Sequence, residues 1–175
     1  MLTVDFDYFD LQPGHVCVDL GCGEGRHSLT AYLQEDVAVI GLDLSHQDLK
    51  TAQSRIADMA TYNPKGSVDF AQADGLSLPL ADHSVDRLIC SEVLAHIPNY
   101  IGFLEELVRG LKPVGRLCIS VPGSWPERVC WSPCEAYSRT PGGHIRILNS
   151  IRLTCVVDRY QLPTTPCHSP PTIRL

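Results

Sequence analysis

The chain has 175 residues, 44% hydrophobic and 19% charged, which allows one domain with a buried core and excludes a disordered or fibrous protein. No apolar run approaches the roughly 20 residues that span a bilayer, and the first ten residues are acidic where a signal peptide is basic, so we expect a cytoplasmic protein without a membrane span. The formal net charge of -6 disfavours nucleic acid as a partner, because a phosphate backbone requires a basic face.

Strands and helices are predicted to alternate along most of the chain. Apolar runs bounded by turn residues indicate strands, and apolar residues at helical spacing indicate helices, with Ser45 as the N-cap of the second helix. Because parallel strands joined by helices form a sheet covered on both faces, the fold class is α/β: a single domain with a Rossmann-like, doubly wound, mostly parallel sheet. The strands are predicted at 15–21, 37–45, 67–74, 85–93 and 116–122, and the helices at 26–35, 46–62 and 99–111.

The regular alternation ends near residue 150. The segment "IRLTCVVDRY" could form one more strand, but "QLPTTPCHSPPTIRL" is rich in proline and has no period. We therefore predict a domain over residues 1–150 and an irregular, proline-rich tail over 151–175.

The eight cysteines do not indicate a disulfide framework. Five of them lie in or beside apolar runs, where a reduced thiol behaves as a small hydrophobic group. Cys130 and Cys134, with His144 further on, lack the second ligand pair that a structural zinc site needs, so no metal is predicted.

A glycine-rich turn follows the first strand. Gly21, Gly23 and Gly25 would let the backbone approach a ligand closely, although a tight turn without a ligand has the same composition. A dinucleotide loop would carry glycine at position 26, where this chain has arginine, and the Lys-Ser/Thr pair of a phosphate loop is absent. Asp19 and Glu24 would repel a pyrophosphate and attract an ammonium or sulfonium group, which favours a positively charged nucleoside.

Two further acids come at strand ends. Asp43 ends the second strand about twenty residues after the glycines, where a carboxylate can accept both hydroxyls of a ribose. The alternative is a role at the start of the next helix. Asp74 could accept a hydrogen bond from an exocyclic amine, or simply be the turn residue before Gly75.

Taken in order, five stretches resemble the class I S-adenosylmethionine-dependent methyltransferases, in particular the type 11 group that acts on small molecules. They are "VDLGCGEGRHS", "VIGLDLS", "AQADGLSLPLADHSVDRLICSEVLAHIPN", "FLEELVRGLKPVGRLCISVP" and "TPGGHIRIL", and the resemblance covers about residues 2 to 148.

The resemblance implies S-adenosylmethionine as cofactor and a small-molecule methyl acceptor as substrate. It places Asp43 at the ribose, Leu44 on one adenine face and Asp74 at the adenine amine. The residues that it places around the methionine part are Asp19, Gly21, Gly23 and Gly25. Ser91 and Glu92 would lie beside the reactive methyl group, although a helix-capping role is the alternative. The whole cofactor set is Asp19, Gly21, Cys22, Gly23, Gly25, Asp43, Leu44, Ala73, Asp74, Ser91 and Glu92.

Methyl transfer from a sulfonium is an in-line displacement that mainly requires alignment and exclusion of water. A protonated acceptor would also need acid–base help, for which His96 and His144 are the catalytic candidates because free imidazole titrates near neutral pH. Tyr137 and Arg146 could orient the acceptor. A structural role is the alternative for each histidine.

The chain departs from the family in three respects, one of which is Val114 in "LKPVG", where glycine is usual. Ala95 stands where relatives often have glutamate, which removes a carboxylate that helps bind metal in some of them. The usual helix and antiparallel strand pair after "HIRI" are expected to be missing, so we predict a truncated or frame-altered member whose fifth strand is a partly uncovered edge open to self-association. The alternatives are a non-catalytic cofactor-binding module and an NAD-dependent oxidoreductase.

Overall fold

A computed structural model describes residues 2–121, 165–166 and 172–174. Seven strands and four α-helices are present among these residues. The strands are β1 (Val16–Leu20), β2 (Ala38–Asp43), β3 (Ser67–Gln72), β4 (Val85–Ser91), β5 (Leu111–Ser120), β6 (Thr165–Pro166) and β7 (Thr172–Arg174). The helices are α1 (Phe6–Phe9), α2 (Arg26–Gln34), α3 (His46–Met59) and α4 (Tyr100–Gly110), and short 3-10 turns cover Ala60–Tyr62 and Leu94–His96.

The strands form one sheet in the order β3-β2-β1-β4-β5-β7-β6. Neighbours among β1 to β5 run parallel, which confirms the predicted doubly wound α/β fold. The chain moves outward from β1 to β3 and then returns to the other side of β1 with β4. This reversal between β1 and β4 is where open α/β sheets bind ligands, at the carboxyl ends of the strands.

Both faces of the sheet are covered, as the apolar runs of the parallel strands predict. On one face, Val18 and Leu88 pack in a cluster with Phe103 and Leu107 of α4. On the other face, alternate strand residues such as Ile89 pack with residues of α1 and α2. The strands are therefore a rigid support for the residues that follow their carboxyl ends.

The boundaries of α2, α3 and α4 agree with the sequence prediction to within three residues, and α1 is an additional helix. Ser45 caps α3 as predicted, since its Oγ accepts a hydrogen bond from the backbone N–H of Asp48 at 3.3 Å. Helix α1 was not predicted, because four residues are too few for a helical period. β5 also begins earlier than predicted, at Leu111 instead of position 116.

The expected absence of the antiparallel strand pair is wrong. Strand β7 pairs antiparallel with Cys118–Ser120 of β5, and β6 pairs antiparallel with β7. Main-chain hydrogen bonds make such short pairs without any side-chain period, and Pro166 is tolerated because β6 is an edge strand. Residues 118–120 of β5 are thus not an uncovered edge, and self-association stays a prediction.

Three buried cysteines behave as the sequence predicts for reduced thiols. Burial raises the pKa of Cys17, Cys22 and Cys90 well above the ordinary value of a thiol, so they stay protonated. Within residues 2–121 and the two short C-terminal strands, no helix is long and apolar enough to cross a bilayer.

Candidate active site

A cavity of about 350 Å³ opens at the carboxyl ends of β1 to β4, at the reversal of strand order. Its volume lies within the roughly 300–1,000 Å³ of small-ligand sites. Its charged acids are Asp43 and Glu92, and no lysine or arginine is among the described residues that line it. The lining residues are Leu20, Gly21, Asp43, Leu44, Ala73, Gly75, Ser91, Glu92, Val93, His96, Ile97 and Phe103.

The glycine-rich turn, residues 21–25, connects β1 to α2 and is held against the end of β2. The backbone N–H groups of Gly21 and Cys22 both donate to the carbonyl oxygen of Leu42, at 2.8 and 3.1 Å. Gly21, Gly23 and Gly25 all have positive φ, at 72°, 52° and 81°. The turn therefore needs glycine at these positions for its backbone conformation, as the spacing predicted.

Asp43, at the rim of the cavity, connects the glycine-rich turn to the start of α3. Its Oδ2 accepts a hydrogen bond from the N–H of Gly23 at 2.8 Å, and its Oδ1 accepts one from the N–H of Ser45 at 2.8 Å. Each carboxylate oxygen keeps a second lone pair, so the half-buried side chain can still accept two hydroxyl groups. The helix-start and ligand-binding interpretations of Asp43 are thus compatible.

Asp19 lies behind the turn and is not a lining residue of the cavity. It is only 1% exposed, and its Oδ2 accepts hydrogen bonds from the backbone N–H and the hydroxyl group of Ser28, at 3.0 and 2.6 Å. Gly25, the N-cap of α2, has no side chain to cap the helix. Asp19 therefore supplies the negative charge at the helix N-terminus, where dinucleotide folds place a pyrophosphate.

We predict that Asp19 makes the stability of the chain depend on pH. Burial raises its pKa to about 6 from 3.8, against the opposing effect of the Ser28 hydrogen bonds. The folded state thus holds the proton more tightly, so this contribution to stability is complete below about pH 3.8 and is lost as pH rises through about 6. The side chain introduced by Asp19→Asn stays neutral at every pH. The free energy of unfolding of this variant, measured by urea unfolding, should therefore rise by about 3 kcal/mol relative to that of the wild type between pH 4 and pH 7.5.

One further variant and the opposing effect of His27 separate Asp19 from its surroundings. Ser28→Ala removes a donor to the carboxylate, so it should shift the transition to higher pH. His27 contributes in the opposite direction, since burial lowers its pKa to about 4 from 6.5 and stability is lost as pH falls through that range. His27 is unchanged in both variants, so a stability difference between Asp19→Asn and wild type that does not vary with pH would contradict the prediction.

Glu24 does not act on the cavity as the sequence argument assumed. Its carboxylate forms an ion pair with the Arg55 guanidinium, which also donates to the Glu24 carbonyl oxygen at 2.9 Å. Both side chains are about half exposed. The charge of Glu24 is paired on the outer side of the turn, so Asp43 and Glu92, which line the cavity, carry the electrostatic argument instead.

Ser91, Glu92 and His96 line the cavity at the end of β4, and their roles toward cofactor and acceptor stay predictions. Glu92 has a φ of 63°, in the left-handed region that is uncommon for a residue other than glycine, and such strained residues cluster at active sites. Its N–H donates to the carbonyl oxygen of Ser120 at 3.0 Å. His96 follows in the 3-10 turn Leu94–His96, one turn beyond Glu92.

The remaining predicted residues divide into two groups. Cys22, Gly23 and Gly25 belong to the turn, and Asp74 is exposed and accepts from the N–H of Leu76 at 2.9 Å, but none of the four is a lining residue. Their contact with a ligand stays a prediction. His144, Tyr137 and Arg146 lie outside the described residues.

Sequence reasoning missed five lining residues of the cavity. Only Gly75 had a signal in the sequence, as the glycine that follows Asp74 in a turn. In the structure a Cβ at this position would come within 2.2 Å of the Phe103 ring. The apolar residues Leu20, Val93, Ile97 and Phe103 have the pattern of ordinary core residues. No cluster of three or more His, Cys, Asp or Glu side chains suited to a metal occurs in the described part of the chain, and the absence of a metal requirement stays a prediction.

The strand order and the acid-lined cavity at the reversal point define a Rossmann-like α/β domain with a site for a nucleoside-type ligand. The chain belongs to the methyltransferase domain family, whose family model matches residues 18–119. The cofactor of this class is S-adenosylmethionine.

Curated relatives agree with the family. The chain is 31% identical over 115 residues to the methyltransferase GfsG of Streptomyces halstedii, a match that covers 66% of this chain and 40% of the relative. It is 33% identical over 147 residues to a probable S-adenosylmethionine-dependent methyltransferase of Mycolicibacterium smegmatis, covering 83% of this chain and 51% of the relative. The matches thus span about half or less of these relatives' length.

The fold has a close counterpart among solved structures. A SAM-dependent methyltransferase from Methanosarcina mazei superimposes with a TM-score of 0.76, covering 99% of this chain and 96% of that one. At 16% identity this likeness shows the fold alone.

Proposed function

We propose that this chain binds S-adenosylmethionine in the cavity and transfers its methyl group to a small-molecule acceptor. The observation that carries the proposal is the charge of the site. The cavity has Asp43 and Glu92 on its lining without a described lysine or arginine, which suits a cationic ligand and not a pyrophosphate.

The residues present fit this cofactor. Asp43 offers two acceptor positions at the rim for the ribose hydroxyls. Leu44 is 61% exposed beside it and provides an apolar surface for one face of the adenine ring. Phe103 and Ile97 add apolar surface on the same cavity, and Ser91 and Glu92 supply polar groups at the end of β4.

The bound cofactor supplies a sulfonium methyl that is already reactive. The residues of the chain then align the acceptor with this methyl, exclude water and, where the acceptor is protonated, accept its proton. Among the described residues, His96 is the candidate for accepting that proton, because it lines the cavity four residues after Glu92. We propose His144 as the second residue that could accept this proton, and Tyr137 and Arg146 as residues that orient the acceptor.

The two alternatives are less well supported. An NAD-dependent oxidoreductase would place a pyrophosphate at the N-terminus of α2, but Asp19 already caps that helix end through Ser28. A non-catalytic module is compatible with the cofactor site alone. A non-catalytic module would bind the cofactor without transferring its methyl group, so a measurement of methyl transfer distinguishes it from an enzyme.

Calorimetry of the 175-residue chain with S-adenosylmethionine, S-adenosylhomocysteine and NAD tests the binding part. We expect micromolar dissociation constants for the first two and no measurable binding of NAD. Incubation with cofactor labelled in its methyl group and a metabolite extract tests the transfer part, with a labelled small molecule as the expected product. Binding of NAD alone would overturn the proposal, and cofactor binding without labelled product would favour the non-catalytic module.

We extend the proposal to partners and location. The net charge of -6 supports a small-molecule acceptor and not a nucleic acid. The buried, protonated thiols of Cys17, Cys22 and Cys90 are compatible with a reducing compartment, which supports a cytoplasmic protein.

A further inference from the structure

A cluster of three hydroxyl groups lies where the N-terminal segment crosses the ends of two strands. Ser91 and Ser120 are register partners at the carboxyl ends of β4 and β5, and their Oγ atoms are 2.9 Å apart. The Oγ1 of Thr3 is 2.6 Å from the Oγ of Ser91 and 3.3 Å from that of Ser120. The cluster joins parts of the chain that are 88 and 117 residues apart in sequence.

The cluster is in direct contact with Glu92. The Ser120 hydroxyl donates to Oε1 of Glu92 at 3.2 Å, and the Ser120 carbonyl accepts the Glu92 N–H at 3.0 Å. Ser120 thus holds both the backbone and the carboxylate of the residue with the left-handed conformation. Since that conformation costs about 1–3 kcal/mol, surrounding contacts must maintain it.

The N-terminal segment is anchored to the same place. The backbone N–H of Thr3 donates to Nε2 of His27 at 3.2 Å, and the Thr3 hydroxyl is also 3.2 Å from this nitrogen. Burial lowers the pKa of His27 to about 4, so the ring is neutral at pH 7 and Nε2 can accept. Thr3 is therefore fixed over the strand ends from the side of α2.

These hydroxyls are an unusual choice for buried positions. Ser91 and Ser120 are 8% and 3% exposed, and a buried hydroxyl is costly unless it is hydrogen-bonded. Apolar residues would fill the same volume without that requirement. A functional reason for the cluster is the carboxylate that it holds, because Ser91 and Glu92 both line the cavity.

We propose that Ser120 and Thr3 are positioning residues of the candidate active site, whose hydroxyl groups hold the carboxylate of Glu92 at the cavity to accept hydrogen bonds from the bound cofactor. This inference rests on the proposed function, since it requires S-adenosylmethionine in the cavity. Neither residue lines the cavity, so both act through Glu92.

A double-mutant cycle on the 175-residue chain tests the inference, with the dissociation constant of S-adenosylmethionine measured by calorimetry. We expect Ser120→Ala to weaken binding about fivefold and Glu92→Gln about tenfold, as for the loss of a hydrogen bond to a charged group. The double variant should bind no more weakly than Glu92→Gln alone, within about twofold. If the two effects instead multiply, Ser120 does not act through Glu92 and the inference is wrong.

Three more variants separate positioning from folding. Thr3→Val removes a hydroxyl at nearly constant shape and should weaken binding, whereas Thr3→Ser should restore it. Ser84→Ala is the matched control, because Ser84 precedes the opposite end of β4 and donates to the Ala81 carbonyl at 2.7 Å. It should leave the dissociation constant unchanged, and equal weakening by Thr3→Ser and Thr3→Val would overturn the role of the Thr3 hydroxyl.

The outcomes distinguish this inference from the proposed function. Wild-type chain that binds no S-adenosylmethionine overturns the proposed function, and the inference with it. Wild-type binding with multiplicative effects in the cycle overturns the inference alone. Thermal unfolding of each variant identifies any loss of folded protein, and if Ser120→Ala does not fold, the cycle is run with Thr3→Val in its place.

Discussion

Replacing Asp43 by alanine should weaken S-adenosylmethionine binding at least about 100-fold. The variant removes the acceptor of the Gly23 and Ser45 N–H groups, so the glycine-rich turn and the start of α3 both lose a fixed point. It also removes the two acceptor positions proposed for the ribose. A hydrogen bond to a charged group contributes about 1.5–3 kcal/mol, so the loss of two such bonds accounts for this factor.

Two comparisons make the Asp43 prediction specific. Asp43→Asn keeps the shape but turns an amide N–H₂ towards one of the two backbone donors, so we expect most of the loss to remain. Asp69→Ala removes an exposed carboxylate on the neighbouring strand β3 and should leave the dissociation constant unchanged. Calorimetry on all three variants would contradict the prediction if Asp43→Ala and Asp69→Ala bound equally well.

Gly21→Ala should reduce both the stability and the cofactor affinity of the chain more than any other single methyl addition in the turn. A Cβ at position 21 would come within 2.2 Å of Cγ2 of Val93, and the φ of 72° is itself unfavourable for alanine. Val93 lines the cavity beside Glu92, so displacing it also moves the end of β4. We expect a loss of about 3 kcal/mol in the free energy of unfolding, as for an overpacked core with added backbone strain.

Gly23 offers the matched control for this overlap. It has a φ of 52°, but a Cβ there would meet nothing within 4 Å. Gly23→Ala should therefore cost only the left-handed backbone, about 1–2 kcal/mol. The double variant Gly21→Ala with Val93→Ala should recover part of the loss, and urea unfolding that ranked Gly23→Ala as the more destabilising change would contradict the steric explanation.

The sequence predicted the sheet and the strand ends of the site because these depend on local patterns. Apolar runs located β1 to β4, and the glycines and the acid that follow them had no place in a core, which identified Gly21 and Asp43. Glu92 was identified only through the resemblance to the methyltransferase family. The position of Asp19 was harder to predict. Its carboxylate points to Ser28 in the next helix, a contact set by the packing of α2 on the sheet.

Tertiary contacts explain what the sequence could not predict. Glu24 and Asp43 both carry a carboxylate, but only Glu24 is paired with Arg55 of α3, 31 residues further along the chain. The roles proposed for Thr3 and Ser120 depend on the N-terminal segment lying across the carboxyl ends of β4 and β5. Single hydroxyl residues have no periodic pattern from which this contact could be predicted. Strand β7 was missed for the same reason, since three residues paired through their main chain leave no pattern of their own.

The hydroxyl cluster also has a consequence for the order in which the site forms. Because it requires Thr3 beside Ser120, the Glu92 end of the cavity is complete only after a contact between residues 117 positions apart has closed. Closing a contact of such long range has an entropy cost, and domains dominated by long-range contacts fold more slowly. During synthesis, a nascent chain whose residue 120 is still within the ribosome would therefore hold the glycine-rich turn and Asp43 but not a finished cofactor site.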